Sequence, residues 1–304
     1  MKRRMLGLLA GLLVLSFTLA AAPFTTISVF GDSLSDNGNT FGVAGYPPPP
    51  YYQGRFSNGP VAVEILAGIT GANLENHAWG GATTGSGNNV DGGNVSTAVA
   101  LPGMRAVFDA TDLQPVSPET LFIVWGGPND FVAPAPEDAG NPGAIAARAV
   151  GNLVYIAQGL QAAGASNIWV LGLPDLGLTP FVRSQGAALS MAASFLTDQF
   201  NAALAAQIAP LPNARFIDIA GTQRAIIGNP AAYGLSNVTD ACLTSMGVCS
   251  DPGSYFYWDD FHPTTAAHSL LASDLAGVVV PEPGTLVLLA GGLAALAALR
   301  RTRR

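Results

Sequence analysis

The sequence predicts an α/β fold in which a parallel sheet lies between two layers of helices. Short apolar runs that suit buried strands alternate with longer stretches that carry apolar residues at helical spacing, a pattern typical of this fold class. Polar motifs rich in glycine follow several of the runs, and a chain of 304 residues that is 49% apolar can bury a large core. No repeat or long linker divides the chain, so we expect one α/β domain.

The predicted elements cover most of the chain. The strand candidates are Thr26–Phe30, Asn73–Ala78, Leu121–Val124, Asn167–Leu171 and Arg215–Ile219. The helix candidates are Val61–Ala67, a stretch within Val95–Ala110, Pro142–Ala163, Ser184–Ile208 and Thr264–Ala276. In the fourth helix, Met191, Phe195, Leu196 and Phe200 recur at helical spacing, so we expect this stripe to pack onto the sheet.

Residues 1–22 have the composition of a secretory signal peptide. A basic start is followed by an apolar run from Leu6 to Leu19 and then by three alanines, the order found in a leader that is cleaved after export. A permanent transmembrane helix is the less favoured alternative, because the run is shorter than the ~20 residues that a span needs.

Residues 280–304 carry a second targeting pattern. Val-Pro-Glu-Pro is followed by the apolar stretch Gly284–Leu299 and by a cluster of arginines. This order resembles the PEP-CTERM sorting signal of bacteria with a Gram-negative envelope. The resemblance implies recognition by an exosortase, transient membrane contact through the apolar helix, and export to the cell envelope, surface or extracellular matrix. A simple C-terminal anchor is the alternative, and the working domain is residues 23–279.

The charge of the chain is uneven and excludes several functions. Residues 23–299 contain six arginines, no lysine and 20 acids, a net charge of −14, whereas the whole chain has −7. This disfavours nucleic acid and anionic lipid surfaces as partners, because phosphates are bound by clustered Lys and Arg. Lys2 is the only lysine, and three histidines and two cysteines leave little for a zinc site. We therefore expect neither a phosphate loop nor a metal or cofactor.

Four polar motifs stand where such a fold binds ligands, beyond the carboxyl ends of its strands. Three of them follow predicted strands, and the fourth precedes the last predicted helix. The motifs are Gly31–Asn39, Asn76–Thr83, Trp125–Asp130 and Trp258–Pro263.

These motifs contain the parts of a serine hydrolase. A serine hydroxyl becomes a good nucleophile when a base takes its proton, and histidine is the base whose pKa lies near neutrality. Asp259 stands three residues before His262, so its carboxylate can reach the other ring nitrogen and stabilise the imidazolium. Glycine N–H groups and the Asn129 amide can hold a developing oxyanion.

The four motifs, in this order, resemble the GDSL esterases and lipases of the SGNH hydrolase superfamily. The resemblance covers nearly the whole domain and includes Arg55–Pro60, Leu173–Pro180 and Tyr255–Trp258. It implies a three-layer α/β/α, flavodoxin-like fold around a five-stranded parallel sheet.

The resemblance also implies the catalytic residues. They are Ser33 as the nucleophile, Gly81, Asn129 and the Ser33 N–H as oxyanion donors, and Asp259 with His262 as the rest of the triad. The family spacing of five residues after Asn76 selects Gly81 rather than its neighbour Gly80. The Asp-x-x-His spacing selects Asp259 and leaves Asp260 as a loop acid.

The remaining histidines are expected to be structural. His77 lies inside the second motif, at a position that is usually apolar in the family, and is assigned to packing. His268 follows on the last predicted helix and is expected to be a surface or core residue. The chain contains no Gly-x-Ser-x-Gly sequence, which disfavours an ordinary α/β-hydrolase.

Cys242 and Cys249 stand shortly before the last motif. A leader implies export to an oxidising compartment, where such a pair favours a disulfide. The disulfide would steady the loop that carries Asp259 and His262. Free thiols and a metal-binding or nucleophilic cysteine pair are the alternatives.

The sequence therefore predicts an exported serine esterase or lipase that acts through an acyl-enzyme. Its substrate is a small-molecule, lipid or polysaccharide ester, and nothing in the sequence selects among these. Tyr51, Tyr52 and Phe131 either line the acyl side of the site or are structural. An acyltransferase with the same intermediate and a non-catalytic surface or matrix protein are the alternatives, and the complete set of site residues favours an enzyme.

Overall fold

The structure is a computed structural model that describes residues 24–90 and 100–279. The strands of these residues are β1 (Thr26–Gly31), β2 (Asn73–Asn76), β3 (Thr120–Trp125), β4 (Ile168–Leu171), β5 (Ala214–Ile217), β6 (Asn237–Ala241), β7 (Leu243–Thr244), β8 (Gly247–Val248) and β9 (Tyr255–Tyr257). Their α-helices are α1 (Asn39–Ala44), α2 (Ala62–Thr70), α3 (Met104–Ala110), α4 (Pro128–Val132), α5 (Pro142–Ala162), α6 (Pro180–Ser184), α7 (Ala187–Ile208), α8 (Ile219–Gly228) and α9 (Thr265–Val279).

Five parallel strands form the central sheet, in the order β2-β1-β3-β4-β5. Successive side chains point to opposite faces, so in β3 Leu121 and Ile123 face one helical layer and Phe122 and Val124 face the other. Helices α2 and α9 pack on the first face, and α5 and α7 pack on the second. Because both faces are covered, the central strands are apolar almost throughout. The predicted three-layer fold with a five-stranded parallel sheet is confirmed.

The strand order determines where a ligand site forms. β2 lies on one side of β1 in the sheet, and β3 lies on the other side. The connections from β1 and β3 therefore diverge at the carboxyl ends of these two strands. Gly31 at the end of β1 is in register with Trp125 at the end of β3. The motifs that follow β1, β2 and β3 therefore meet at one edge of the sheet.

The predicted packing of α7 is wrong in its first half. Met191 and Phe195 are 69% and 66% exposed, so they do not pack onto the sheet. The first turns of α7 instead hold the segment before α6, where the Ser190 hydroxyl donates to the Gly177 carbonyl (2.7 Å). The apolar residues of α7 that are buried in the second helical layer are Phe200, Leu204 and Ile208.

Short strands that the sequence pattern did not predict support the last motif. β6 pairs with β9, and β7 pairs with β8 in an antiparallel hairpin. The Cys242–Cys249 disulfide joins residues at the two ends of this hairpin, which confirms the predicted disulfide. The Cys242 N–H donates to the Tyr257 carbonyl (3.1 Å), so the cross-linked hairpin is attached to the strand that leads into Asp259.

Some predicted segments lie outside the described residues. They are the signal peptide (residues 1–22), the first part of the predicted helix in residues 95–110, and the C-terminal segment (residues 280–304) with its apolar helix. The structure therefore tests none of these assignments. In the part of the chain that the structure describes, no helix is both long enough and apolar enough to cross a bilayer.

Candidate active site

Ser33 lies in a tight turn directly after β1. The N–H groups of Ser35 and Asp36 donate to the Asp32 carbonyl (3.0 and 2.9 Å), and the Leu34 N–H donates to the Asp32 Oδ1 (3.0 Å). The Ser33 N–H has no acceptor among the described residues. The turn therefore presents both the hydroxyl and the N–H of Ser33 at the edge of the sheet.

The last motif brings His262 to Ser33. The His262 Nε2 lies 2.9 Å from the Ser33 Oγ. On the other side of the ring, the Nδ1 lies 2.8 Å from the Asp259 Oδ2 and 3.0 Å from the Oδ1. The three residues selected from the sequence thus form a continuous hydrogen-bonded row from hydroxyl to imidazole to carboxylate.

The loop between β9 and α9 fixes this geometry locally. The Asp259 Oδ1 accepts the N–H groups of Phe261 (2.8 Å) and His262 (2.7 Å), so the carboxylate turns back onto its own loop. The Trp258 N–H donates to the His262 carbonyl (2.7 Å). Asp260 is exposed, in agreement with its assignment as a loop acid.

The charges of Asp259 and His262 stabilise each other. Burial by itself raises the pKa of Asp259, but the His262 charge and the hydrogen bonds outweigh it and lower this pKa to about 2. Burial likewise lowers the pKa of His262, and the Asp259 charge and hydrogen bond overcome this effect, so the net pKa is raised. Asp259 is therefore an anion at neutral pH and favours a proton on His262.

The two adjacent glycines differ in what their N–H groups bind. The Gly80 N–H donates to the Asp36 Oδ2 (2.8 Å) and the Thr40 Oγ1 (2.7 Å). The Gly81 N–H has no acceptor in residues 24–90 or 100–279, and Gly81 has a φ of 77°. Of the two glycines, Gly81 is therefore the one whose N–H is free to donate to a ligand, and its role as an oxyanion donor stays a prediction.

Asn129 lies at the start of α4, beside the Ser33 turn. Its Nδ2 donates to the Ala82 carbonyl (3.1 Å) and lies 3.5 Å from the Asp32 Oδ2. Burial raises the pKa of Asp32 to about 7 and that of Asp130 to about 6. Asp32 directly precedes Ser33 in the first motif, but the motif pattern predicted no role for it.

The three aromatic candidates for the acyl side have different environments. The Tyr51 hydroxyl donates to the Asp259 Oδ2 (2.7 Å). Tyr52 is 40% exposed, and Phe131 packs against Phe200 with ring centroids 6.4 Å apart. Tyr51 is therefore the aromatic residue of this set that touches the triad, a contact that the sequence analysis did not identify.

The other two histidines are not part of the hydrogen-bonded row of Ser33, His262 and Asp259. His77 stacks on Phe30 with ring centroids 4.9 Å apart, and His268 is buried with its Nδ1 accepting the Ala62 N–H (3.2 Å). Among the described residues, no group of three or more His, Cys, Asp or Glu side chains is arranged to hold a metal ion.

A serine, a histidine and an aspartate in hydrogen-bonded order, at the carboxyl ends of the strands of a three-layer α/β fold, are the arrangement found in serine hydrolases. The sequence profile of the GDSL-like lipase/acylhydrolase family matches residues 27–275. The chain belongs to this family and is a carboxylic ester hydrolase.

Residues 279–304 match the PEP-CTERM protein-sorting motif, which implies processing by an exosortase and export to the envelope or surface of a Gram-negative bacterium.

Several known proteins are similar to this chain in sequence or in fold. The chain is 32% identical to a phosphatidylcholine-sterol acyltransferase of Aeromonas hydrophila, over 85% of this chain and 75% of that protein. It is 29% identical to esterase EstA of Pseudomonas aeruginosa over 89% of its own length, and it spans about half the length of that relative (49%). A solved protein from Lactobacillus plantarum has a TM-score of 0.50 and 16% identity, over 84% of this chain and 96% of that one, a likeness of fold.

Proposed function

We propose that this protein is an exported serine esterase that cleaves carboxylic esters through an acyl-enzyme on Ser33. The observation that carries the proposal is the row from the Ser33 Oγ through the His262 ring to the Asp259 carboxylate, with spacings of 2.9 and 2.8 Å. The proposed domain is residues 23–279, with residues 1–22 as a cleaved leader and residues 280–304 as the sorting segment.

The proposed reaction starts with proton transfer from Ser33 to His262. The Ser33 Oγ attacks the ester carbonyl while the His262 Nε2 takes its proton, and Asp259 stabilises the imidazolium. The tetrahedral intermediate collapses, the C–O bond to the alcohol breaks, and His262 gives its proton to the leaving alkoxide. Water, deprotonated by His262, then attacks the acyl carbonyl. The bond to the Ser33 Oγ breaks as His262 returns the proton to that oxygen, which releases the acid and free Ser33.

Three donors are proposed to hold the oxyanion. They are the N–H groups of Ser33 and Gly81 and the Asn129 Nδ2. The two backbone groups have no acceptor among the described residues, so they are free to bind the oxyanion without breaking another hydrogen bond. Donors already in place stabilise the developing charge without reorganisation, which is usually the largest single contribution to this kind of catalysis.

The central prediction is that Ser33→Ala abolishes ester hydrolysis. Loss of the nucleophile should lower kcat by on the order of 10⁴-fold or more, measured on nitrophenyl esters of graded chain length with the exported, purified protein. Ser35→Ala is the matched control, because Ser35 lies in the same turn and its buried hydroxyl has no partner among the described residues. Wild-type turnover no greater than that of Ser33→Ala would contradict an enzyme and favour a non-catalytic surface protein.

Acyl transfer is the second candidate function, because the relative of 32% identity is named an acyltransferase. An acyl-enzyme can be attacked by an alcohol as well as by water, so the same site serves both reactions. Adding increasing amounts of an alcohol acceptor and measuring ester product against free acid separates the two. A new ester that forms faster than the acid at low acceptor concentration favours the transferase.

A further inference from the structure

Tyr51 contacts the triad from a distant part of the chain. Its hydroxyl donates to the Asp259 Oδ2 at 2.7 Å, across a sequence separation of 208 residues. This is the oxygen that also lies 2.8 Å from the His262 Nδ1. The proposed reaction assigns no task to Tyr51, so this contact needs its own explanation.

The position of the Tyr51 ring is fixed by its neighbours. Tyr51 belongs to the proline-rich loop, residues 46–52, and its N–H donates to the Pro48 carbonyl of the same loop (3.2 Å). The ring meets Trp258 edge to face, with centroids 6.1 Å apart, and lies 6.3 Å from Phe56. Trp258 and Phe56 are both buried, so they form a rigid support that aims the hydroxyl at Asp259.

The hydroxyl completes the hydrogen bonding of the Asp259 carboxylate. The Oδ1 is held by the N–H groups of Phe261 and His262, which belong to the same short loop. Tyr51 holds the Oδ2 from outside that loop, so the carboxylate is attached to a second part of the fold. A donor on the Oδ2 also draws negative charge away from the atom that faces the imidazole.

We propose that Tyr51 is a positioning residue, whose hydroxyl holds the Asp259 carboxylate against His262 and limits the basicity of the imidazole. This inference rests on the function proposed above for Ser33, His262 and Asp259. In this role, the proline-rich loop brings the Tyr51 hydroxyl to the Asp259 end of the triad.

Several titratable groups influence the protonation of Asp259 and His262. The groups that act on Asp259 or His262 are Asp32 from the Ser33 turn, Tyr46 and Tyr51 from the proline-rich loop and His268 from α9, and Asp260 acts on Tyr51. Of these groups, Tyr51 has a direct hydrogen bond to the Asp259 side chain. Its removal therefore changes the hydrogen bonding of the carboxylate without removing a charged side chain.

The experiment is Tyr51→Phe, which removes the hydroxyl and keeps the ring. A freer carboxylate should lower kcat about five- to tenfold at pH 7 with little change in KM, since one hydrogen bond to a charged group is lost. More negative charge on the Oδ2 makes His262 more basic, so the acid limb of kcat/KM should move up by about half a pH unit. Tyr52→Phe is the matched control, because the neighbouring Tyr52 hydroxyl has no hydrogen bond among the described residues.

The titration of the His262 ring, followed by NMR in the exported protein, gives a readout that does not need turnover. A higher ring pKa in Tyr51→Phe, with no change in Tyr52→Phe, supports the inference. An unchanged ring pKa and an unchanged acid limb overturn it, even if kcat falls, because a merely structural role would then suffice. Absence of hydrolysis in the wild type contradicts the proposed function instead and leaves the ring titration as the test of the contact.

Discussion

Neighbouring residues in this site differ in their hydrogen bonding, because the path of the backbone decides which polar groups have a partner. The Gly80 N–H is bound by Asp36 and Thr40, whereas the Gly81 N–H is without an acceptor in the described part of the chain. Motif spacing selected Gly81, but the physical reason appears only when the hydrogen bonds around both glycines are known.

At this scale we predict that Gly81→Ala damages the site. The φ of 77° is strained for any residue with a Cβ, and the added atom would lie 2.5 Å from the Asn88 Oδ1 and 2.7 Å from the Val90 nitrogen. The backbone must shift, so kcat should fall on the order of 10²-fold, the effect of losing an oxyanion donor.

The control for this prediction is Gly87→Ala, where the nearest atom is the Thr83 Oγ1 at 3.7 Å. We expect it to keep kcat within about twofold, since that is ordinary van der Waals contact. Steady-state kinetics with a urea unfolding curve for each variant separates a local effect from loss of fold. A Gly81→Ala protein with wild-type kcat would contradict the prediction that the added Cβ displaces the Gly81 N–H.

At the scale of elements, the helices and strands that the sequence predicted are those with one dominant apolar pattern. α5 begins and ends within one residue of the predicted range, Pro142–Ala163. α8 was not predicted, although Asp218 caps it by accepting the Gly221 N–H (2.9 Å), a start signal that the sequence carries. The exposed Met191 and Phe195 were misassigned because spacing shows that residues share a helix face but not what covers that face.

The contact between α9 and α2 predicts a pH effect on stability. The His268 Nδ1 accepts the N–H of Ala62, one of the unpaired donors at the start of α2. Burial, with repulsion from His262, lowers the pKa of His268 to about 3. Between pH 6.5 and 3 the unfolded chain therefore binds a proton at His268 that the folded chain does not. Protonation of His268 in the unfolded chain should therefore lower the unfolding free energy by up to about 1.4 kcal/mol for each pH unit between 6.5 and 3.

His268→Gln tests this effect, because glutamine does not titrate in this range. The unfolding free energy of the variant should fall less steeply than that of the wild type between pH 7 and pH 5, measured by urea denaturation at several pH values. His77→Gln is the comparison, since His77 is only half-buried and should account for less of the slope. Equal slopes for wild type and His268→Gln would contradict a neutral, buried His268.

At the scale of the whole molecule, charge predicts a salt effect. Residues 23–279 contain six arginines and 19 acids, so like charges repel one another across the folded surface. The ion pairs of the described residues include exposed ones such as Arg105–Asp109, and exposed pairs contribute little. Screening by salt should therefore weaken the repulsion between acidic residues more than it weakens the ion pairs.

We expect the unfolding free energy to rise when NaCl increases from 0.01 to 0.15 M, where the Debye length falls from about 30 Å to about 8 Å. Denaturation in urea, which is uncharged, measures this without adding ionic strength. Choline chloride should give the same rise, because screening does not depend on the identity of the cation. A fall in stability with salt would show that the ion pairs outweigh the repulsion.

The fold and the row of Ser33, Asp259 and His262 follow from the sequence because their signals are local. Each motif is a few residues long and stands at the end of a predicted strand or before a predicted helix. Tyr51 could not be found in this way, because its partner lies 208 residues away. The path of the proline-rich loop, and not any spacing, brings the two together.

The pairing of Ser33 with His262 has a consequence for the timing of activity. These residues are 229 positions apart, the first just after the earliest strand of the sheet and the second just before the last described helix. A chain that crosses a membrane amino end first delivers the proposed nucleophile early and the proposed base almost last. If Ser33 and His262 act as proposed, a partly translocated chain has no working hydrolase, and esters inside the producing cell are not cleaved until α9 has crossed the membrane and packed on the sheet.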